Sequence, residues 1–391
     1  MDQKIIDTLH ETAEEFGAIA KKVNEASKLR KTHSEEAMKF INLCLEIGDE
    51  LGKDMETVAK ANADLRNQDT IVQNTCVVLE ASLTKQEELI ASLQEGNNID
   101  KDLAEKLLAK IEEFRTSLGK ATENIASIIA KDNILVLLDN ILLSKKKQQH
   151  GFTLELKEQT NTALDDAEKA IQGSSSNLER GLSMVEKFKG VEKLVSSNDR
   201  AALDELKDEA NQGWNIAIKV NESSNSQLDF AEQVNNFTQK LHNYAENIQE
   251  LVIEKHQVFE QNLQTITVLT VLISLKFMKY LEIEELMEQV EDVPQVWNTI
   301  NDLRTYVATA CNDIRMLAAL HYDMTDSSHL NNEIEDKTVK STKKEIEYFH
   351  EISKEVGMMT EATRYPMEGS HKNIGNGKKL EETIDEVIKS L

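Results

Sequence analysis

The sequence is poor in the residues that punctuate a chain. It holds 14 Gly and 2 Pro in 391 residues, where average usage would supply about 47 of the two together. That excludes an architecture of many short elements joined by tight turns and favours helices, which need the least punctuation. Aromatic residues make up 5% and apolar residues 40%, lean for a thick core and better suited to narrow seams between helices. Cysteine is also scarce. Cys44, Cys76 and Cys311 are odd in number, widely spaced and free of any CxxC pair, which excludes a disulfide framework and predicts thiols buried as small hydrophobes in a reducing compartment. The first residues, Met1 to Ile6 (MDQKII), write no basic region followed by an apolar one. No classical signal peptide is expected, so the chain should be cytoplasmic or released without one.

Positive charge is in the minority. Seventy acidic residues oppose 45 basic ones, a net charge of −25, and such a field repels a phosphate backbone and an anionic leaflet alike. Nucleic acid is excluded as a partner. The one compact basic run, Lys145-Lys146-Lys147, reads as a solvated loop or helix end. Long hydrophobic runs are missing too. The most apolar stretch, Thr265 to Leu281 (TITVLTVLISLKFMKYL), has 17 residues interrupted by Lys276 and Lys279, and a spanning helix needs about 20. Its Ile266, Val268, Leu269, Leu272, Ile273 and Leu275 leave no solvent-facing side. They therefore mark either a buried helix or a segment that inserts on assembly. A shorter run, Ile134 to Leu143, carries Asp139 in its middle.

What is present is helical periodicity. Phe114, Leu118, Ala121, Ile125 and Ile128 step by four and three, the a/d spacing of a coiled-coil seam. Leu241, Ala245, Ile248, Val252, Lys255, Phe259, Asn262, Ile266 and Leu269 keep the same rhythm, with Lys255 and Asn262 as polar intruders. Asn262 either fixes register, as a buried Asn does in coiled coils, or sits where the helices splay. No period-2 alternation persists, so strands are excluded. The pattern predicts an all-α chain: one elongated antiparallel bundle of long amphipathic helices spanning residues 1–391.

Breaks are few. Glu95-Gly96-Asn97-Asn98 interrupts one run, and Asp102 with Glu105 predicts the next helix start. Gly151 marks a further end. Gly173-Ser174-Ser175-Ser176 and Ser196-Ser197-Asn198-Asp199 bracket a small head element over 173–199. Pro294 opens or kinks a helix, His321 to Asn332 is turn-like, and residues 365–377, with Pro366, Gly369, Gly375 and Gly377, predict a flexible connector.

Templates for chemistry find nothing to match. The nine His include no HExxH, the glycines form neither GxGxxG nor a P-loop, and Glu-x-x-His is not repeated on two helices with further Glu facing it, as a di-iron bundle requires. The reading is a non-enzymatic protein with no cofactor and no metal ligands. Its partners would be other helical subunits or further copies of itself, with a membrane joining on assembly.

Residues Val290 to Thr305 (VEDVPQVWNTINDLRT), centred on Trp297 with Ile300 and Leu303 following, resemble the late helix of the ClyA-like α-helical pore-forming toxins. That group includes the haemolysin BL and xenorhabdolysin components. Asn373 to Ile388 looks like the closing helix of some members, and also like the final helix of the tellurite-resistance TelA family. The resemblance covers about 35 residues and implies a helical, multi-part pore-forming assembly. The toxins carry an apolar hairpin upstream of the Trp, whereas residues 170–215 here are polar and serine-rich. The resemblance therefore implies a partner component with a hydrophilic head. An intracellular coiled-coil scaffold or filament-forming protein fits the same periodicity.

Overall fold

The computed structural model describes the backbone of residues 3–288 and 297–391, and their side chains apart from a set between 270 and 330. Among the described residues the fold is all-α. Four long helices, α1 (Gln3–Glu95), α2 (Lys101–Phe188), α4 (Arg200–Glu288) and α5 (Trp297–Ser390), contain 93, 88, 89 and 94 residues. A short α3 (Val191–Ser196) lies between α2 and α4.

Two of the expected breaks are helix ends with the same chemistry. Asn97 takes φ 51° and Asn198 φ 57°, the left-handed conformation that Asn adopts more readily than other non-glycine residues. At the first, Asn98 N donates to Leu93 O and Asn97 N to Gln94 O. At the second, Asp199 N donates to Leu194 O and Asn198 N to Val195 O. Both are Schellman closures, which satisfy carbonyls the helix end would otherwise leave open. An aspartate then caps the following helix. Asp100 Oδ1 accepts from Asp102 N and Leu103 N, and Asp199 Oδ1 accepts from Ala202 N. The cap of α2 is therefore Asp100, not Asp102.

Contacts divide the chain into two compact units. Residues 1–49, 148–246 and 343–391 form the first; residues 50–147 and 247–342 form the second. In each, segments of α1, α2, α4 and α5 pack antiparallel. In the first unit Glu15 faces Lys372 while His33 faces Glu355, and Lys31 faces Glu168 while Asn24 meets Ser174. In the second, Asn62 meets Asp139 while Glu87 meets Arg115.

The core of the first unit is layered along its helices. Phe16, Phe188, Leu203 and Ile384 share one cluster with Val191 and Val195 of α3. Ile41, Leu156, Leu241 and Phe349 share another. In this unit backbones approach closely at glycine. A Cβ on Gly181 would lie 3.2 Å from the Cα of Gly17, and one on Gly377 would lie 2.5 Å from Trp214 Cβ. Gly369 likewise abuts Val23 and Ile19.

That close approach explains two corrections. Residues 365–377 are not a connector but part of α5, with Pro366 buried and Gly369 and Gly377 seated against neighbouring helices. Gly173 to Ser176 does not open a head: it continues α2, where small side chains fit a tight contact and Ser174 Oγ donates to Asn24 Oδ1 at 3.2 Å. Gly151 and the stretch 321–332 also lie inside helices. The expectation at Pro294 falls outside the described residues.

Both predicted seams are core. All five residues from Phe114 to Ile128 are buried, as are all nine from Leu241 to Leu269, Lys255 and Asn262 included. In the second unit the first seam joins Leu65, Leu79, Leu83, Ile90, Val307 and Ile314 in the largest cluster. The three cysteines are buried and unbridged.

Candidate functional site

The residues singled out from the sequence separate. Ile266 and Leu269 are buried in the core of the second unit. Val268 is 52% exposed and its neighbour Val271 53%, which corrects the expectation that the run has no solvent-facing side. An amphipathic helix at the edge of a four-helix unit buries one stripe only. Leu272, Ile273 and Leu275 lie on α4, and Trp297, Ile300 and Leu303 on the first turns of α5. The side chains of these six lie outside the described set.

The structure adds a site the sequence reading passed over: two polar layers across the core of the second unit. In the first, Lys255 of α4 places Nζ 2.5 Å from Asp139 Oδ1 of α2 and 3.3 Å from Glu335 Oε1 of α5. All three side chains are 4% exposed. Asn62 of α1 donates to the other Asp139 oxygen and accepts from Asn331 Nδ2 at 2.8 Å. His256 Nδ1 lies 3.0 Å from Glu335 Oε2. Burial pushes the Glu335 carboxyl up, against the opposing pull of Lys255 and His256. A cavity of about 20 Å³ beside Asp139, Lys255 and Glu335 has room for one water and none for a substrate.

The second layer is built from Asp69 of α1, Asp132 of α2 and Asn262 of α4. Asn262 Nδ2 donates to Asp132 Oδ1, which decides between the two readings of Asn262 in favour of a buried, bonded register element. Burial raises the pKa of Asp69. Burial and the neighbouring Asp69 push Asp132 up to about 9. Two carboxyls brought together out of water cannot both ionise cheaply, so one holds a proton at neutral pH. Asp69 Oδ2, Asp132 Oδ2 and Asn262 Oδ1 have no hydrogen-bond partner.

The two layers stand one heptad apart: 62 and 69 on α1, 139 and 132 on α2, 255 and 262 on α4. Lys146, a further heptad along α2, is also buried. The lysine triplet is therefore no solvated loop, because its middle residue occupies the core phase. The signal was in the sequence as polar residues repeating at seven-residue intervals in phase with the seams. Spacing along α4 singled out Lys255 and Asn262, but it could not pair them with Asn62, Asp69, Asp132, Asp139 and Glu335 on the other helices.

Such layers fix register. A one-heptad slide of any helix would set a buried charge against aliphatic neighbours, and leaving one buried charge unpaired costs about 3–5 kcal/mol. Among the described residues no group of three His, Cys, Asp or Glu is placed to hold a metal ion. No described helix is long and apolar enough to cross a membrane. The chain matches no protein-family model, and no curated protein is significantly similar to it.

Proposed function

We propose that this chain acts without chemistry of its own, as a helical subunit of a multi-part α-helical pore-forming assembly. The observation that carries the reading is the state of the chain's most apolar segment. It lies in the last part of α4, with Ile266 and Leu269 in the core while Val268 and Val271 are in solvent. A segment held by one stripe can be released without dismantling the whole unit. Long antiparallel helices of 88 to 94 residues supply the frame from which a toxin-like subunit would deliver it. Membrane contact would come on assembly with other subunits, since no described helix suffices to span alone.

Dye leakage from zwitterionic vesicles tests this. The chain should leave vesicles intact alone and permeabilise them together with the helical partner subunits that this reading requires. Intact vesicles under every combination would refute it.

A second reading, a cytoplasmic coiled-coil scaffold, is favoured by the polar layers, because fixed register suits a bundle that never opens. Filaments that form in salt alone, with no response to lipid, would select it.

A further inference from the structure

Helix α2 carries two seams on adjacent faces of one stretch, offset by one residue or about 100°. The inner one, Leu135, Leu138 and Leu142, is buried. The outer one, Ala130, Ile134, Leu137 and Ile141, steps by four, three and four, the spacing by which one helix pairs with another. Ala130 is exposed, Ile134 is 45% and Leu137 58% exposed, and Ile141 is half-buried. Among the described residues nothing covers this second seam.

The surface around it carries a single charge, Lys131, which is unusual in a chain with 29% charged residues. From Asn124 to Ser144 the only charged residues of α2 are Lys131, Asp132 and Asp139. Both aspartates are buried. Lys131 Nζ is turned onto α4, at 3.1 Å from Gln261 O and 2.7 Å from Thr265 Oγ1. The helices on either side of α2 match it. The single charge of α1 between residues 67 and 79 is the buried Asp69, and α4 has no charged residue from Gln261 to Leu275. Val268 on α4, in phase with the Gln261 and Thr265 that Lys131 meets, extends the exposed apolar surface on that side.

We propose that this face is where a second copy of the chain packs, α2 against α2 about a two-fold axis. Charge decides the occupant. A basic partner would be drawn to the acidic surface elsewhere and gains nothing from a neutral patch. Two copies of net charge −25 repel wherever their charges meet and can approach only where charge is missing. The nearest charges bounding the stretch on α2 are Glu123 and Lys145, roughly 16 Å from Ile134 at about 1.5 Å per residue. That exceeds the Debye length of about 10 Å at 0.1 M salt. The face is modest: three helices about 8–10 Å apart over some 20 Å give roughly 500 Å² per copy, below the 800 Å² of a standard interface. Association is therefore weak and reversible, with a dissociation constant in the micromolar range, and it tightens as salt screens the flanking charges. Two-fold pairing also doubles each contact of the seam. The proposal stands whether the subunit serves a membrane assembly or a scaffold.

Sedimentation velocity on the full chain, from about 0.05 to about 0.5 M salt, reads it. The parent should dimerise, more tightly at high salt. Leu137→Glu should weaken the dimer at least tenfold with helicity and melting unchanged, since Leu137 is mostly in solvent. Leu182→Glu, at an equally exposed site of α2 (54%) in the other unit, should associate as the parent does. Ile134→Lys serves as the second variant should Leu137→Glu lose helicity. A parent that stays monomeric to about 200 µM at every salt overturns the proposal, as do face and control variants that behave alike. A monomeric parent that binds zwitterionic vesicles and loses that binding in Leu137→Glu overturns it in favour of a lipid-facing surface.

Discussion

Replacing Asp132 with Asn should make the second unit more stable above neutral pH. In the folded chain Asp132 is held protonated by burial and by Asp69, with its pKa pushed up to about 9. An unfolded aspartate releases its proton near 3.9. Between these values the native state binds a proton that the unfolded state does not, so the contribution is complete below about pH 4. It is lost progressively as pH rises toward 9. The slope is at most about 1.4 kcal/mol per pH unit, and three units, from about pH 5 to about pH 8, give a ceiling of about 4 kcal/mol. Asparagine has the same shape, never ionises, and keeps an N–H donor where the acid O–H stood. Urea unfolding followed by far-UV circular dichroism across this range would measure the difference between parent and Asp132→Asn. Because Glu335 is present in both chains, its own raised pKa cancels in that difference. The variant should gain stability over the parent by one to four kcal/mol, growing with pH. A difference that stays flat with pH, or a variant weaker than the parent near pH 8, would show that no proton is held between Asp69 and Asp132.

Three further outcomes follow from packing. Lys255→Met leaves Asp139 and Glu335 buried without their cation and should cost about 3–5 kcal/mol in chemical denaturation, with most of the loss recovered when both acids are also made leucine. Gly375→Ala, where a new Cβ meets nothing within 4 Å, should stabilise α5 by up to about 1 kcal/mol. Gly377→Ala, whose Cβ would sit 2.5 Å from Trp214, should instead lower the melting temperature. Ile266→Asp should destabilise strongly, as an unpaired buried charge does, while Val268→Asp two residues away should change the midpoint by no more than about 0.5 kcal/mol.

Much of the fold was legible because it is written in a repeat. The 4-3 spacing from Leu241 to Leu269 named nine core positions, and all nine are buried. The turns at 95–98 and 196–199 were visible as clusters of Asn with Gly or Ser, although the residue taking the left-handed conformation is Asn97 in one and Asn198 in the other, where glycine would be the first expectation. What misled is the double meaning of small residues. Gly369, Gly377 and Ser174 look like loop chemistry locally, yet each lets two helices approach closely. Local propensity cannot tell those uses apart, because the partner helix is more than a hundred residues away in sequence. The polar layers were hidden for a related reason. Asp132 and Asp139 each look like an interruption of an apolar run, and only their pairing with Asn262, Lys255 and Glu335 on other helices makes them core.

The central claim, that the apolar part of α4 is released to a membrane on assembly, is tested most directly by an environment-sensitive dye on a cysteine at Val271. The native cysteines are buried, so labelling is selective. Emission should be that of a solvent-exposed site for the chain alone and for the chain with vesicles. It should shift strongly to the blue when vesicles and partner subunits are both present. A dye that reports water under all three conditions, while the same mixture permeabilises the vesicles, would contradict the account.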